Sequence, residues 1–113
     1  VIAWAAYAQR KYPELELLFH VPNGEARDPR TAAKLKWLGV RPGVPDLLFP
    51  MPRGPYAGLA LEMKRRKGGR ASGAQERFLG LLQASGWHVA ICAGADEAIG
   101  ELRRYLAWPA RVA

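Results

Sequence analysis

Cysteine occurs once in this 113-residue chain, histidine twice, and acids only ten times against seventeen lysines and arginines. Each scarcity excludes a class of protein. The lone Cys92 closes no internal disulfide, and with His20 and His88 it cannot complete a tetrahedral zinc site. Cys92 lies in the apolar run HVAICA, which reads as a buried strand with an inert thiol. The opening segment VIAWAAYAQRKY is too short to span a bilayer and carries neither a basic leader nor a cleavage pattern. A soluble, cytoplasmic protein with no membrane partner is therefore expected. The chain opens at Val1 without an initiator methionine, so a short upstream segment is also expected.

Half of the residues are apolar, which at this length allows one hydrophobic core and one α/β domain spanning residues 1–113. The net charge of +7 and pI near 10.1 point to an anionic partner, nucleic acid before a membrane surface. No repeat, linker or low-complexity tract divides the chain.

Periodicity and breakers give the order α-β-α-β-β-α-β-α. A helix over residues 1 to about 11 is stopped by Pro13, and LELLFHV reads as a strand before the PNG turn. Asp28 and Pro29 offer a cap and first-turn proline for a helix through RTAAKLKWL, closed by Gly39. The stiff loop GVRPGVP then delivers Asp46 to a short strand, DLLF, and PMPRGPY turns the chain into the strand AGLALEMK. Ser72 and Gln75 form a capping box for GAQERFLGLLQA, Gly86 ends that helix, and WHVAICA is the last strand. Asp96 and Glu97 open a final helix that closes near Arg103 and Arg104, the polarity its macrodipole favours.

In so basic a chain, an acid inside an apolar strand calls for a reason. Alternation puts Leu59, Leu61 and Met63 on a core face and Ala60, Glu62 and Lys64 on the other. A hairpin between DLLF and LALEMK would bring Asp46 and Glu62 together at one edge. Hard oxygen donors of this kind suit Mg²⁺ or Mn²⁺, with water and phosphate filling the remaining positions. Lys64 would then orient water or neutralise charge on phosphorus. Alone, E-x-K is a short and common pattern, and a same-face ion pair on a wet strand accounts for it. A P-D one hairpin earlier, in a basic chain, favours the metal site.

Gln75 shares a helical stripe with Leu79 and Leu82, so its amide either contacts this site or merely closes the capping box with Ser72. The run KRRKGGR holds Lys64, Arg65, Arg66, Lys67 and Arg70 without an acid, and Lys34, Lys36 and Arg41 flank the loop before Asp46. Such runs are often plain solvated loops. Beside two carboxylates this one reads as a nucleic-acid-binding surface. His20 and His88 read as packed in strands, with His20 the one to watch, and Trp37 and Trp87 read as core rather than base-stacking platforms.

The segments PNG (22–24), KLKWLGVRPGVPDLLFP (34–50), GLALEMKRRKGGRASGAQ (58–75) and GWHVAICAGADEAIGELRRYL (86–106) resemble the virus-type replication-repair nuclease (VRR-NUC) domain. The resemblance covers nearly the whole chain. It implies the restriction-endonuclease-like PD-(D/E)xK fold, a central mixed sheet of about four strands flanked by helices, and Mg²⁺- or Mn²⁺-dependent hydrolysis of DNA phosphodiesters. By motif, Asp46 and Glu62 are the implied metal ligands, the Met63 carbonyl a further ligand, Lys64 the catalytic lysine and Gln75 the glutamine of the S-x-x-Q motif. One departure stands out: the family carries another acid on its first helix, and residues 1–12 have none. That acid is expected upstream of Val1, with Glu14 and Glu16 as poorer substitutes.

Stand-alone members of the family, of phage or bacterial type, are similar to dimeric enzymes that resolve four-way junctions, whereas others act as monomers on flaps. The leading expectation is thus a structure-selective endonuclease for Holliday junctions or related branched DNA in replication and repair, working as a homodimer. Apolar residues around Val1, Ile2 and Trp4, or around Tyr105 and Trp108, could form the dimer contact, or simply close the monomer's core. The alternatives are a flap nuclease and a non-catalytic DNA-binding module on the same fold. An anionic-membrane binder lacks the long basic amphipathic helix it would need.

Overall fold

A computed structural model describes residues 1–22, 29–64 and 72–110. The elements run α1 (Ile2–Ala8), a 3₁₀ turn (Pro13–Leu17), β1 (Phe19–His20), α2 (Pro29–Trp37), β2 (Leu47–Phe49), β3 (Leu59–Lys64), α3 (Gly73–Ala84), β4 (His88–Ala93) and α4 (Ala95–Leu106). The strands form one sheet in the order β1-β2-β3-β4, antiparallel except for the parallel β3–β4 pair. A mixed α/β fold with a four-strand sheet is the expected class.

The expected strand LELLFHV is the main departure. Only Phe19–His20 pairs with β2, and the preceding residues wind into the 3₁₀ turn. Pro13 presets the first dihedral of that turn, and three residues per turn place Leu15 and Leu18 on one side. Both are buried, whereas Leu17 stays 47% exposed, the reverse of what strand alternation between Leu15 and Leu17 requires.

The core lies where α1 and α4 cover one sheet face, around Phe49, Leu59, Leu61, Leu102 and Tyr105. Tyr105 packs edge-on to Phe49 and donates its hydroxyl to the Met51 carbonyl at 2.6 Å. It closes the monomer's core, so it supplies no dimer contact; Val1 and Trp4 also pack against that core. The α4 polarity is as expected, with Asp96 and Glu97 in its first turn and Arg103 and Arg104 in its last. Cys92 is buried, and burial first, then the charges of Glu101 and Glu97, push its thiol up to about 11. It is the inert thiol expected.

Two further expectations reverse. His20 is exposed on the edge strand β1, and His88, half-exposed, contacts Glu101 at 3.3 Å, so neither is a packed core histidine. Trp37 is 85% exposed because α2 buries no residue of its own. Trp87 is half-buried and lies over Gly58, where a Cβ would come within 2.7 Å of its ring.

Candidate active site

The β2–β3 hairpin pairs Leu47 with Leu61, and one further residue of that register sets Asp46 opposite Glu62. Two main-chain donors among the described residues hold Asp46. Its carbonyl accepts from the Val21 N–H at 2.7 Å, and its Oδ2 accepts from the Met63 N–H at 2.8 Å. The hairpin thus brings both acids together, as expected of it, but on the two central strands rather than at an edge of the sheet.

The opposite face of β3 is drier than a half-wet strand would be. Ala60 is fully buried and Glu62 only 2% exposed, so a solvated Glu62–Lys64 pair does not describe it. Burial first, then the neighbouring Asp46 carboxylate, push the Glu62 carboxyl up to about 7, against the opposing pull of Lys64.

Gln75 resolves its two candidate roles by performing both. Its Oε1 accepts from the Ser72 N–H and from Lys64 Nζ, each at 2.8 Å, while Nε2 donates to Glu62 Oε1 at 2.9 Å. Ser72 Oγ accepts in return from the Gln75 N–H at 3.2 Å, completing the capping box. Two donors on the carbonyl oxygen fix which way the amide faces, and its NH₂ is left pointing at Glu62. The α3 N-terminus is thereby tied to both site residues of β3. Leu79 is buried and Leu82 half-buried, as the stripe from Gln75 required.

The other Glu62 oxygen, Oε2, is buried and has no hydrogen-bond partner. A buried carboxylate oxygen without a donor, beside a second carboxylate, suits a hard divalent cation, which accepts one or two carboxylates and keeps water elsewhere. The donor set fits Mg²⁺ or Mn²⁺. Among the described residues, no group of three or more His, Cys, Asp and Glu side chains forms a fuller cage. The first turn of α1 contains no acid, and Glu14 is engaged by Arg53 in an ion pair. Arg53 also reaches the Leu106 and Trp108 carbonyls, so Glu14 serves the fold rather than the site. Glu16 is exposed on the 3₁₀ turn.

A cleft of about 810 Å³ runs from Asp46, Ser72 and Gln75 to Lys36, Val40 and Arg41. Lys36 and Arg41 therefore do share a surface with the acids, and Lys34 stands exposed on α2 just before them. A second cleft, of about 610 Å³, meets the first at Asp46 and is walled by Val1, Ile2, His20 and Met63. Arg65, Arg66, Lys67 and Arg70 lie outside the described residues.

Sequence reasoning passed over Gly43. Its φ is +81°, and a Cβ there would stand 2.3 Å from the Ala74 carbonyl oxygen and 2.8 Å from the Gln75 nitrogen. The loop that carries Asp46 is thus pressed against the first turn of the helix that carries Gln75. The signal was a glycine between Pro42 and Pro45, in a loop noted only as stiff.

Comparison with known proteins agrees with this fold. The family model of the VRR-NUC domain matches residues 3–96. A solved structure described as a "VRR_NUC domain protein" superposes with a TM-score of 0.78 at 27% identity, over 94% of this chain and 84% of that one. None of the curated proteins matches.

Proposed function

The chain belongs to the VRR-NUC domain family, which has a nuclease-type fold and implies DNA as substrate, and we propose that it is a divalent-metal-dependent endonuclease for branched DNA. One observation carries the reading: a buried Glu62 beside Asp46, with one oxygen lacking a partner and the other fixed by Gln75. Asp46 and Glu62 would hold Mg²⁺ or Mn²⁺, with the Met63 carbonyl as a further donor. Bound there, the cation supplies Lewis acidity toward a phosphate oxygen and lowers the pKa of water.

The chain's own groups do the rest. Gln75 holds the Lys64 ammonium beside Glu62 through one bond. An ammonium has three donors, so Lys64 can keep Gln75 and still donate to a phosphate oxygen or a water. Its charge would offset the negative charge that grows on phosphorus during attack. Lys34, Lys36 and Arg41, with Arg65, Arg66, Lys67 and Arg70, would bind flanking phosphates and set register without reading bases. Holliday junctions are the favoured substrate, cut by a homodimer that offers one site to each of two symmetry-related strands.

The second reading, a DNA-binding module without turnover, draws on the fact that no third acid among the described residues is grouped with Asp46 and Glu62. Labelled four-way junctions, forks, flaps and linear duplexes, incubated with and without Mn²⁺, separate the two. Metal-dependent cuts placed symmetrically about the junction are expected, with a dimer by light scattering. Binding to all of these DNAs with no cleavage in either metal would leave the binding module. Preferential cutting of flaps by a monomer would replace the junction assignment.

A further inference from the structure

Trp37 itself plays no part in the chemistry above, and it is the most exposed large apolar side chain among the described residues. Trp37 is 85% exposed, Leu38 60% and Val40 49%, at the end of a helix that buries none of its residues. A soluble chain seldom leaves an indole this bare without a partner. Lys34 and Lys36 lie on the same helix, Arg41 follows four residues after Trp37, and no acid falls between Pro29 and Val44. Val40, Lys36 and Arg41 also wall the cleft that leads to Asp46. The patch therefore combines an aromatic plate with cations and opens toward the acids.

From this we infer that Trp37 is a stacking platform for an unpaired DNA base, with Lys36 and Arg41 taking the adjoining phosphates. The inference rests on the DNA-cleaving reading of the Asp46–Glu62 site and adds to it a reason for selecting DNA with unpaired nucleotides. Indole stacking tolerates any base, because every base has a π-face, whereas in an intact duplex those faces are covered by neighbouring pairs. Charge complementarity favours this occupant over a second copy of the chain. A two-fold contact through this face would bring Lys34, Lys36 and Arg41 against their own counterparts.

The test is metal-free binding, so that no cleavage intervenes. Labelled forked DNA with unpaired arms and an uninterrupted blunt duplex are titrated by anisotropy with the wild-type chain, Trp37→Ala and Trp37→Phe. Trp37→Ala is expected to lose about tenfold in affinity for the fork and less than about twofold for the duplex, with Trp37→Phe retaining most of the fork affinity. A 2-aminopurine in the unpaired arm is expected to be quenched by the wild type and not by Trp37→Ala. Equal losses on both DNAs, or no loss on either, overturn the inference. So does a wild-type dimer that Trp37→Ala disperses, which would give this face to a second copy. A Glu62→Gln protein that still cleaves would refute the catalytic site while leaving the fork preference readable, so the two ideas fail separately.

Discussion

Glu62 and Glu101 are both acids shielded by the fold, and their surroundings drive them in opposite directions. Glu101, on α4, has each carboxylate oxygen matched: Arg104 donates to one at 2.6 Å and His88 lies 3.3 Å from the other. Burial pushes its carboxyl up, but those two partners outweigh it and hold the group below the usual range. Glu62, on β3, is more deeply buried, faces another acid, and leaves one oxygen unmatched. A structural acid is surrounded by donors; Glu62 is surrounded by conditions that a cation would relieve. The proposed metal site rests on that contrast more than on the presence of an E-x-K pattern.

The largest expected effect comes from removing the carboxylates of the site. Glu62→Gln or Asp46→Asn is expected to lower cleavage in Mg²⁺ by more than about 10³-fold, with DNA affinity nearly unchanged. Each change removes a negative donor and adds no bulk. Turnover within tenfold of wild type by either purified variant would put the metal site elsewhere. Lys64→Ala comes next, with a loss of about 10²- to 10³-fold in turnover, the usual cost of one positioned group acting on the transition state. Because Lys64 bonds Gln75 and not the acids' free oxygen, metal affinity measured by calorimetry is expected to persist. Its collapse in Lys64→Ala would contradict the role.

Much of this was legible from residue order. The hairpin, the capping box and the bringing together of Asp46, Glu62 and Gln75 follow from strand alternation, a proline-delivered acid and the S-x-x-Q spacing, all local signals. The 3₁₀ turn was not legible, because apolar residues at 15, 17 and 18 fit either a period of two or a period of three, and only tertiary burial decides between them. Trp37 was misread for a related reason. Its apolar character predicts burial only if another element covers α2, and composition cannot say whether one does. Gly43 was missed because its role depends on a helix thirty residues later coming within contact of it.

The pH dependence of metal-free stability gives the comparison opposite signs. The Glu62 carboxyl is raised from 4.5 to about 7, so the folded protein holds a proton that the unfolded chain releases between those values. That contribution is fully present below about pH 4.5 and is lost as pH rises through 7, at a cost on the order of 3 kcal/mol. Glu101 is lowered, so its contribution is present above 4.5 and is lost as pH falls through its folded-state value. Urea melts of the metal-free protein from pH 4 to 8 are expected to show stability falling between about pH 4.5 and 7 and levelling above that, and Glu62→Gln is expected to flatten that fall. An identical slope in the variant would mean that Glu62 is already ionised in the folded protein.

Gly43→Ala probes how the two halves of the site are joined. The added Cβ meets main-chain atoms of Ala74 and Gln75, not a flexible side-chain end, and the φ of +81° is strained for alanine. Destabilisation of about 1–2 kcal/mol is expected. Turnover is expected to fall further than stability accounts for, since the loop carrying Asp46 must move away from α3. A variant that is destabilised yet cleaves normally would show that the loop's contact with α3 does not set the site's geometry.

The smallest effect is expected at Glu101, and it decides whether the opening contrast is sound. Glu101→Gln keeps the side chain's shape and one acceptor but removes the charge that Arg104 and His88 face. Arg104 is mostly exposed, and an i, i+3 pair at a wet surface contributes little, so a loss of about 0.5–1 kcal/mol is expected at pH 7. Cleavage is expected to stay within twofold of wild type at a temperature where both proteins are folded. Stability and turnover thus part company: Glu62→Gln removes turnover without lowering stability at pH 7, and Glu101→Gln lowers stability without touching turnover. If Glu101→Gln instead impaired cleavage at constant fold, the acid on α4 would be linked to the site through His88 and β4. The division between a structural and a chemical carboxylate would then have to be withdrawn.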